Sequence, residues 1–312
     1  MKIQIPFVAN IPEPEAANWL RALDAAVPEV EFVPFDSLST PKGHKTAVVA
    51  NPDPEAIKAL SDLIWVQSLW AGVEKLLHEP ALDGVGISRL VDPTLATTMA
   101  EAVLAWTLYL HRDMPGYRQL QSEHRWRQLP YVPAAKRRVG ILGLGKLGEV
   151  AANALVHTGF DVMGWSRQEK NVSEVRCFSG TESLTEMIGQ SDILVCLLPL
   201  TPATKGLLDD ALFAKLPQGA SLINFGRGPI IETPALLKAL GEGTICHAVL
   251  DVFDEEPLEQ SSPLWKHPNI TVLPHISAPT TVETAAQIAA TNLRTYLSTG
   301  ETPHLVNRAN GY

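Results

Sequence analysis

The chain has 312 residues, enough for two domains or one large one, and its 46% apolar and 19% charged residues form a globular balance that argues against disorder. A formal net charge of −9 argues against binding to nucleic acid or to an anionic membrane, since both require a basic face, and no stretch reaches the roughly 18 apolar residues of a membrane span. The three cysteines, Cys177, Cys196 and Cys246, show no paired spacing, so we expect reduced thiols in a cytoplasmic protein and neither disulfides nor a metal site.

Short apolar strands alternate with helical segments along nearly the whole chain, which is typical of parallel sheets covered by helices. In the first third the pattern predicts strands at Ile3–Val8, Glu31–Phe35, Thr46–Ala50, Ile64–Gln67 and Val85–Arg89. Helices are predicted between them at Pro14–Ala26 and Pro54–Ser61. A long apolar helix is predicted over Thr97–Arg112, opened by threonines that would cap it.

The next segment, Asp113–Lys136, is rich in Arg, Gln, Pro and aromatic residues and shows no clear periodicity. We interpret it as an arm that leaves the globule, a candidate dimer contact. A second alternating series follows, with strands predicted at Arg138–Leu142, Asp161–Trp165, Ile193–Leu197, Ser221–Phe225, His247–Val252 and Ile270–Leu273. A final helix is predicted over Thr280–Ser298, and the two series together predict two doubly wound α/β domains.

A glycine-rich turn opens the second series. The stretch V-G-I-L-G-L-G-K-L-G carries the G-x-G-x-x-G spacing at Gly143, Gly145 and Gly148. The first glycine permits a tight turn, the second lets the backbone approach a pyrophosphate, and the third lets the helix pack on the strand. The amides of Lys146 and Leu147 would then face the phosphates. A turn that merely needs small residues is the alternative, but the preceding strand and following helix favour a dinucleotide site.

Three predicted strand ends carry charged side chains. Arg227 lies between two glycines in N-F-G-R-G-P-I-I-E, an arrangement suited to bidentate capture of a carboxylate. The run L-D-V-F-D-E-E-P-L offers Glu255 or Glu256 to orient an imidazole, and L-P-H-I-S places His275 after a proline. Taken alone, the Arg227 segment is equally consistent with a solvated surface turn. A run of acids is usually a solvated loop, and a lone histidine is more often structural than catalytic. Ligands of open α/β sheets collect at strand carboxyl ends, however, so we expect these residues to converge.

With these motifs in this order, the chain resembles the D-2-hydroxyacid dehydrogenases over nearly its whole length. The motifs are G-L-G-K-L-G at 143–148, L-P-L-T-P-A-T at 198–204, N-F-G-R-G at 224–228, L-D-V-F-D-E-E-P-L at 250–258 and L-P-H-I-S at 273–277. Within the family the chain is most similar to the bacterial glyoxylate/hydroxypyruvate reductases of the A type. The segment S-L-W-A-G-V-E at 68–74 and the closing V-N-R-A-N-G-Y fit that branch.

The resemblance implies two Rossmann-like, flavodoxin-like domains with the active site in the cleft between them. Residues 1–97 and 281–312 would form the substrate-binding domain, and residues 98–280 the dinucleotide-binding domain. The arm at 113–136 would make the dimer contact of a homodimer. No membrane or nucleic-acid partner is implied.

The resemblance also assigns the site residues. The catalytic triad would be Arg227, Glu256 (the Glu immediately before Pro257) and His275. Backbone amides of one loop would help to grip the substrate, and this loop comprises Trp70, Ala71, Gly72 and Val73. Further residues would line the cofactor, namely Leu198, Thr204, Phe225, Asp251 and Ser277. Many relatives have a small residue in place of Trp70 and an alanine in place of Phe225. Trp70 would therefore either close the mouth over a very small acid or offer a stacking surface to an aryl side chain.

The reaction expected from this match is delivery of hydride from a reduced nicotinamide to C2 of a 2-oxo acid. Protonated His275 would donate a proton to the carbonyl oxygen, while Arg227 would stabilise the oxyanion and hold the carboxylate. Glu256 would bind the other imidazole nitrogen and keep the pKa of His275 high.

The stretch V-M-G-W-S-R-Q-E-K lies about 20 residues beyond the glycine turn, where an NAD site places an acidic residue on the ribose. Here the strand ends in Trp165, Ser166 and Arg167, none of which is acidic. Arg167 would instead pair with a 2′-phosphate, with Ser166 donating a further bond, so we predict a preference for NADPH while NADH remains possible.

Other functions compete with reduction of glyoxylate or hydroxypyruvate. One is a non-catalytic, nucleotide-sensing binding protein of the same fold, and another is a reductase for larger or aryl 2-oxo acids. A formate-type dehydrogenase would require Gln rather than Glu before the proline. A phosphoglycerate dehydrogenase fits less well, because many of those carry an additional regulatory domain.

Overall fold

The strands form two separate parallel sheets in the computed structural model of the chain, which describes residues 2–308 and residue 311. The chain divides into two compact units, Met1–Thr94 with Thr280–Tyr312 and Leu95–Pro279. The predicted α/β class with two parallel sheets is confirmed. Positions 309, 310 and 312 of the closing V-N-R-A-N-G-Y lie outside the described residues.

The first unit contains a five-stranded sheet in the order β2-β1-β3-β4-β5. Its strands are β1 (Ile3–Ala9), β2 (Val30–Pro34), β3 (Thr46–Ala50), β4 (Trp65–Ser68) and β5 (Gly86–Ser88). Its helices are α1 (Glu13–Ala26), α2 (Pro54–Ala59), α3 (Glu74–Leu77) and the last helix of the chain, α10 (Val282–Thr299).

Helices cover both faces of this sheet, which explains why β3 is buried at every position and apolar from residue 47 to residue 50. On one face α1 and α10 pack together over the sheet, with Trp19 and Leu23 from α1 and small residues such as Ala289 from α10. Helix α2 contributes Ile57 to the cluster on the opposite face. The strands therefore end between two packed layers, and their carboxyl ends carry the connecting loops.

The second unit contains a seven-stranded sheet in the order β12-β11-β10-β9-β6-β7-β8. Its strands are β6 (Arg138–Leu142), β7 (Asp161–Ser166), β8 (Arg176–Ser179), β9 (Ile193–Cys196), β10 (Ala220–Asn224), β11 (Ile245–Leu250) and β12 (Ile270–Val272). Its helices are α4 (Pro93–His111), α5 (Met114–Ser122), α6 (Lys146–His157), α7 (Thr181–Ile188), α8 (Asp210–Phe213) and α9 (Thr233–Gly241).

The strand order reverses between β6 and β9. From β6 the chain runs outward to β8 and then returns to build β9 to β12 on the other side. Open α/β sheets bind ligands at such a reversal, outside the carboxyl ends of the strands. The motifs of the second unit follow β6, β7, β10, β11 and β12, so this edge of the sheet is where a site would form.

The structure adds strand β8 and helix α7 to the predicted elements, and it differs from the predictions at helix α4 and in the arm. Helix α4 begins at Pro93, and the carboxylate of Asp92 accepts a hydrogen bond of 2.8 Å from the Thr94 N–H, so the predicted threonine cap at Thr97 is wrong. The predicted arm contains helix α5, and Trp126 beyond it is fully exposed. That this segment forms a dimer contact stays a prediction.

Candidate active site

The glycine turn connects β6 to α6 and has the form that a dinucleotide phosphate requires. Gly143 has a φ of +107°, which favours glycine. A Cβ added at Gly148 would lie 2.0 Å from the Gly143 carbonyl oxygen, so the third glycine allows the helix to pack against the turn. At Gly145 an added Cβ would meet no atom within 4 Å. There is therefore open space beside the turn at the N-terminus of α6. The first amides of that helix, those of Lys146 and Leu147, have no partner within the helix and could bind a phosphate in this space.

The W-S-R segment leaves the sheet beside this turn. The Gly143 and Leu144 N–H groups donate to the Trp165 carbonyl at 2.8 and 3.2 Å, which joins the end of β7 to the start of the turn. Arg167 follows β7 and is exposed, and the Ser166 hydroxyl donates to the Gln168 carbonyl at 2.6 Å. A cationic side chain and no carboxylate thus come directly after β7 at this edge.

Arg227 projects from a turn that is held tightly against neighbouring backbone. The buried Asn224 side chain accepts from the Gly226 N–H and donates to the Arg227 carbonyl, both at 3.1 Å. A Cβ added at Gly228 would lie 2.0 Å from the Phe253 carbonyl carbon. The turn that carries Arg227 therefore packs directly on the segment that leads to Glu256, and only glycine permits that approach.

Glu256 and His275 form a hydrogen-bonded pair. Nδ1 of His275 lies 2.7 Å from Oε2 of Glu256, and the Phe253 N–H donates to Oε1 of the same carboxylate at 3.0 Å. This pairing leaves Nε2 of His275 available to a substrate, and the His275 side chain is 53% exposed.

The pair shifts the acidity of both partners in the expected directions. The hydrogen bond to Glu256 raises the pKa of His275, while partial burial and the positive charge of Arg227 oppose that rise. Burial acts to raise the pKa of Glu256, but the bonds from His275 and Phe253 and the charges of His275 and Arg227 outweigh it and leave that pKa lowered. The ion pair of imidazolium and carboxylate is therefore favoured, and all three predicted triad residues come together.

Asp251 fixes the backbone around His275, a role that the sequence did not suggest. His275 has a φ of +56°, in the left-handed region that costs a residue with a Cβ about 1–2 kcal/mol. The His275 N–H donates to the Asp251 carbonyl at 3.0 Å, and the two carboxylate oxygens of Asp251 accept from Ile276 and Ser277 at 2.7 and 2.9 Å. The nearly buried carboxylate thus positions the imidazole of His275.

The other residues predicted to line the cofactor surround the same edge. The Leu198 carbonyl lies 2.7 Å from the position of a Cβ at Gly226, and the Thr204 hydroxyl donates to the Pro199 carbonyl at 2.7 Å. The Phe225 ring is 4% exposed and packs in the core. Ser277 Oγ is buried and has no hydrogen-bond partner among the described residues, so a bound dinucleotide could supply one.

The predicted substrate loop lies in the first unit, directly after β4. Trp70, Ala71 and Gly72 are partly buried and Val73 is buried. The Trp70 ring packs edge-on against Trp19, with 5.7 Å between the ring centroids. The Trp70 ring is thus partly covered by the protein itself, and both roles predicted for Trp70 stay predictions.

The described part of the chain shows neither a candidate metal site nor a candidate membrane span. No group of three or more His, Cys, Asp or Glu side chains there is placed to hold a metal ion. Within the same residues, no helix combines the length and apolar character needed to span a membrane.

Comparison with known proteins agrees with this geometry. Residues 104–277 match the family model described as the NAD-binding domain of D-isomer specific 2-hydroxyacid dehydrogenases. The chain is 36% identical over 299 residues to a glyoxylate/hydroxypyruvate reductase A from Serratia proteamaculans, covering 92% of this chain and 93% of the relative. These matches confirm the resemblance found in the sequence.

Solved structures give the same result. A D-isomer specific 2-hydroxyacid dehydrogenase from Xanthobacter autotrophicus, in complex with NADPH and MES, has a TM-score of 0.93 and 37% identity, with 100% of each chain covered. An NADPH-dependent glyoxylate/hydroxypyruvate reductase from Sinorhizobium meliloti, in complex with NADP and sulfate, has a TM-score of 0.93 and 34% identity, again with 100% of each chain covered.

Proposed function

Because the chain belongs to the D-isomer specific 2-hydroxyacid dehydrogenase family, we propose that it reduces small 2-oxo acids, glyoxylate and hydroxypyruvate, to 2-hydroxy acids with NADPH. The observation that carries this proposal is the His275–Glu256 pair beside the Arg227 turn. It supplies a proton donor and a cation at the strand edge that also carries the glycine turn.

The dinucleotide, when bound at the glycine turn, supplies the hydride. Nε2 of protonated His275 donates a proton to the carbonyl oxygen of the 2-oxo acid as negative charge develops there. Arg227 stabilises that charge and binds the substrate carboxylate. Glu256 holds Nδ1 of the imidazole and stabilises its cationic form until the proton leaves.

The domain roles follow from these assignments. We assign dinucleotide binding to the second unit, with Gly143, Gly145 and Gly148 at the phosphates, and substrate binding to the first unit. There the backbone amides of the loop Trp70–Val73 hold the carboxylate.

The preference for NADPH rests on Arg167, the cation that follows β7 where an NAD-specific site has an acid. Two structurally similar relatives were solved with NADPH or NADP, which supports the same preference here. We expect Arg167→Asp to lower the ratio of kcat/KM with NADPH to that with NADH by about 10–100-fold. The 2′-phosphate of NADPH loses its ion pair with the guanidinium, and the new carboxylate repels it.

Arg176→Asp is a matched control for this change, since Arg176 lies on β8 and pairs with Asp161. That variant should leave the cofactor ratio unchanged. An unchanged ratio in Arg167→Asp would remove Arg167 from the 2′-phosphate site.

The activity itself is tested by the loss of NADPH absorbance over a panel of 2-oxo acids. We expect turnover with glyoxylate and hydroxypyruvate and a lower kcat/KM with aryl 2-oxo acids. A higher kcat/KM with the aryl acids would reassign the substrate class. NADPH binding without turnover of any panel member would instead favour the nucleotide-sensing binding protein.

The proposal includes a homodimer and a cytoplasmic location. The arm exposes Trp126 fully and also exposes Tyr131, a large apolar surface for a segment that leaves helix α5, and a second copy of the chain would cover it. Analytical ultracentrifugation would detect the dimer, and Trp126→Ser should weaken it. The free cysteines are consistent with the cytoplasm.

A further inference from the structure

A buried chain of hydrogen bonds runs from helix α10 to the start of the substrate loop. Nδ2 of Asn292 donates to Oε1 of Gln67 at 2.8 Å, and Nε2 of Gln67 donates to the Ser68 carbonyl at 2.8 Å. Gln67 is 0% exposed and Asn292 is 5% exposed. The chain of bonds therefore ends at the last residue of β4, where the loop begins.

Ser68 continues this connection into the loop. The Trp70 N–H donates to the Ser68 hydroxyl oxygen at 3.1 Å, and the Trp70 carbonyl accepts from the Leu90 N–H at 2.9 Å. Between them, the Leu69 N–H donates to the Val49 carbonyl at 3.0 Å. Hydrogen bonds thus fix the backbone at Leu69 and at both the N–H and the carbonyl of Trp70. The Gln67 side chain connects this backbone to helix α10 through Asn292.

Packing completes the support. Trp19 on α1 is 1% exposed and meets the Trp70 ring at an interplanar angle of 83°. The indole nitrogens of both rings are buried and have no hydrogen-bond partner among the described residues. Contact with Trp19 is therefore what orients the Trp70 ring, since no polar anchor to it occurs there.

The buried amide side chains of Gln67 and Asn292 are unusual between the sheet and helix α10. Their neighbours on α10 that face the sheet are apolar, such as Ala289 and Leu293, and an apolar pair would fill the space without the cost of burying two amides. A hydrogen-bonded buried pair favours one geometry, which an apolar pair does not. What Gln67 adds beyond packing is a donor directed at Ser68.

We propose that Gln67, Asn292 and Trp19 are positioning residues that hold the loop Trp70–Val73 in the geometry that binds the carboxylate of the 2-oxo acid. This inference rests on the proposed function, which assigns the loop amides to that carboxylate. The loop amides bind the carboxylate in both the ground state and the transition state, so a displaced loop raises the KM for the acid with little change in kcat. These residues therefore act on the KM without touching the acid.

The double variant Gln67→Met/Asn292→Leu tests this directly. Replacing both partners of the Gln67–Asn292 bond by apolar groups of similar shape is close to neutral for stability, so the main cost is the donor that the Ser68 carbonyl loses. We expect a folded protein with a modestly lower melting temperature and a KM for glyoxylate raised about 10-fold or more, with kcat changed far less. The Kd for NADPH should not change, because the glycine turn belongs to the other unit.

Arg294→Met is the matched control. Arg294 also lies on α10 and pairs with Glu29, an exposed contact that does not reach the loop. Its KM for glyoxylate should equal that of the wild type even where its melting temperature falls. A variant that only weakens the packing of α10 lowers the melting temperature, whereas one that disturbs the loop also raises the KM. The control therefore distinguishes these two effects.

A second variant, Trp19→Phe, tests the same inference independently and can be used if the double variant does not fold. It should raise the KM through a looser Trp70 ring, again with an unchanged Kd for NADPH. A wild-type KM in folded variants of both kinds would overturn the inference and leave the proposed function standing. A wild-type protein that turns over no 2-oxo acid would overturn the proposed function, and the inference with it.

Discussion

Two histidines of the second unit lie in opposite electrostatic environments. His247 lies within β11 and is 5% exposed, and burial, with further contributions from His267 and Arg118, lowers its pKa to about 4. His275 follows β12 and is half-exposed, and its bond to Glu256 raises its pKa. The first imidazole is kept neutral, and the second is favoured as a cation.

The difference shows that a charged partner, rather than burial, favours the cationic form of a histidine. Nε2 of His247 shares a 2.9 Å hydrogen bond with the Thr271 hydroxyl, a neutral group that does not stabilise a cation. Glu256 offers His275 a full negative charge at 2.7 Å. Functional sites commonly combine such a shifted pKa with a strand-end position, as His275 does.

The largest effect is expected when His275 itself is removed. His275→Ala should lower kcat/KM for glyoxylate by about 10²–10⁴-fold, because general acid catalysis is lost, while the Kd for NADPH stays near the wild-type value. Steady-state kinetics with a fluorescence titration of NADPH would measure both. His247→Gln serves as the control and should keep full turnover. Near-wild-type activity in His275→Ala would show that another group donates the proton.

A smaller loss is expected from Arg227→Met. Removing the cation should cost about 10²–10³-fold in kcat/KM through both substrate binding and stabilisation of the developing oxyanion. Because Arg227 also opposes the rise in the pKa of His275, its removal should raise that pKa further. The pH at which the residual reduction rate falls should then move upward, as a pH profile would show. A shift in the opposite direction would mean that Arg227 does not act on His275.

The smallest effect on catalysis is expected at His247. Its folded pKa is about 4 and its ordinary value is 6.5, so the unfolded state takes up a proton that the folded state refuses. Stability is therefore lost as the pH falls below about 6.5 toward 4, by roughly 2–3 kcal/mol between pH 7 and pH 4.5. Urea unfolding should show a smaller acid-induced loss in His247→Gln. An equal loss in both proteins would contradict the lowered pKa.

The strand-end motifs could be found from sequence because parallel strands bring distant segments to one edge. Arg227, Glu256 and His275 follow β10, β11 and β12, which are neighbours in the sheet, so their order along the chain indicated their convergence. The glycine turn was recognisable for a similar reason, since local backbone constraints dictate its residues.

Other features depend on contacts that the sequence does not reveal. Gln67 and Asn292 are 225 residues apart, and nothing in either segment indicates the pairing. The resemblance places Asp251 beside the cofactor, which stays a prediction, and the sequence did not indicate that its carboxylate binds the amides after His275. Strand β8 was not predicted, because it is short and only half-buried and its alternation of apolar residues is weak. Helix α5 was not predicted either, because it begins M-P-G and proline and glycine are unfavourable in helices.

The central claim is that Glu256 makes His275 the acid for reduction, and the pH dependence of Glu256→Gln tests it most directly. Reduction needs protonated His275, so its kcat/KM is full below the pKa of that group and falls as the pH rises through it. In the wild type this fall should occur above pH 6.5, because the folded pKa is raised. The neutral amide removes the cause of the rise, so we predict that the fall moves to lower pH in Glu256→Gln, with about a tenfold loss in rate at alkaline pH for each unit of pKa lost. A fall at the same pH in both proteins would contradict the claim.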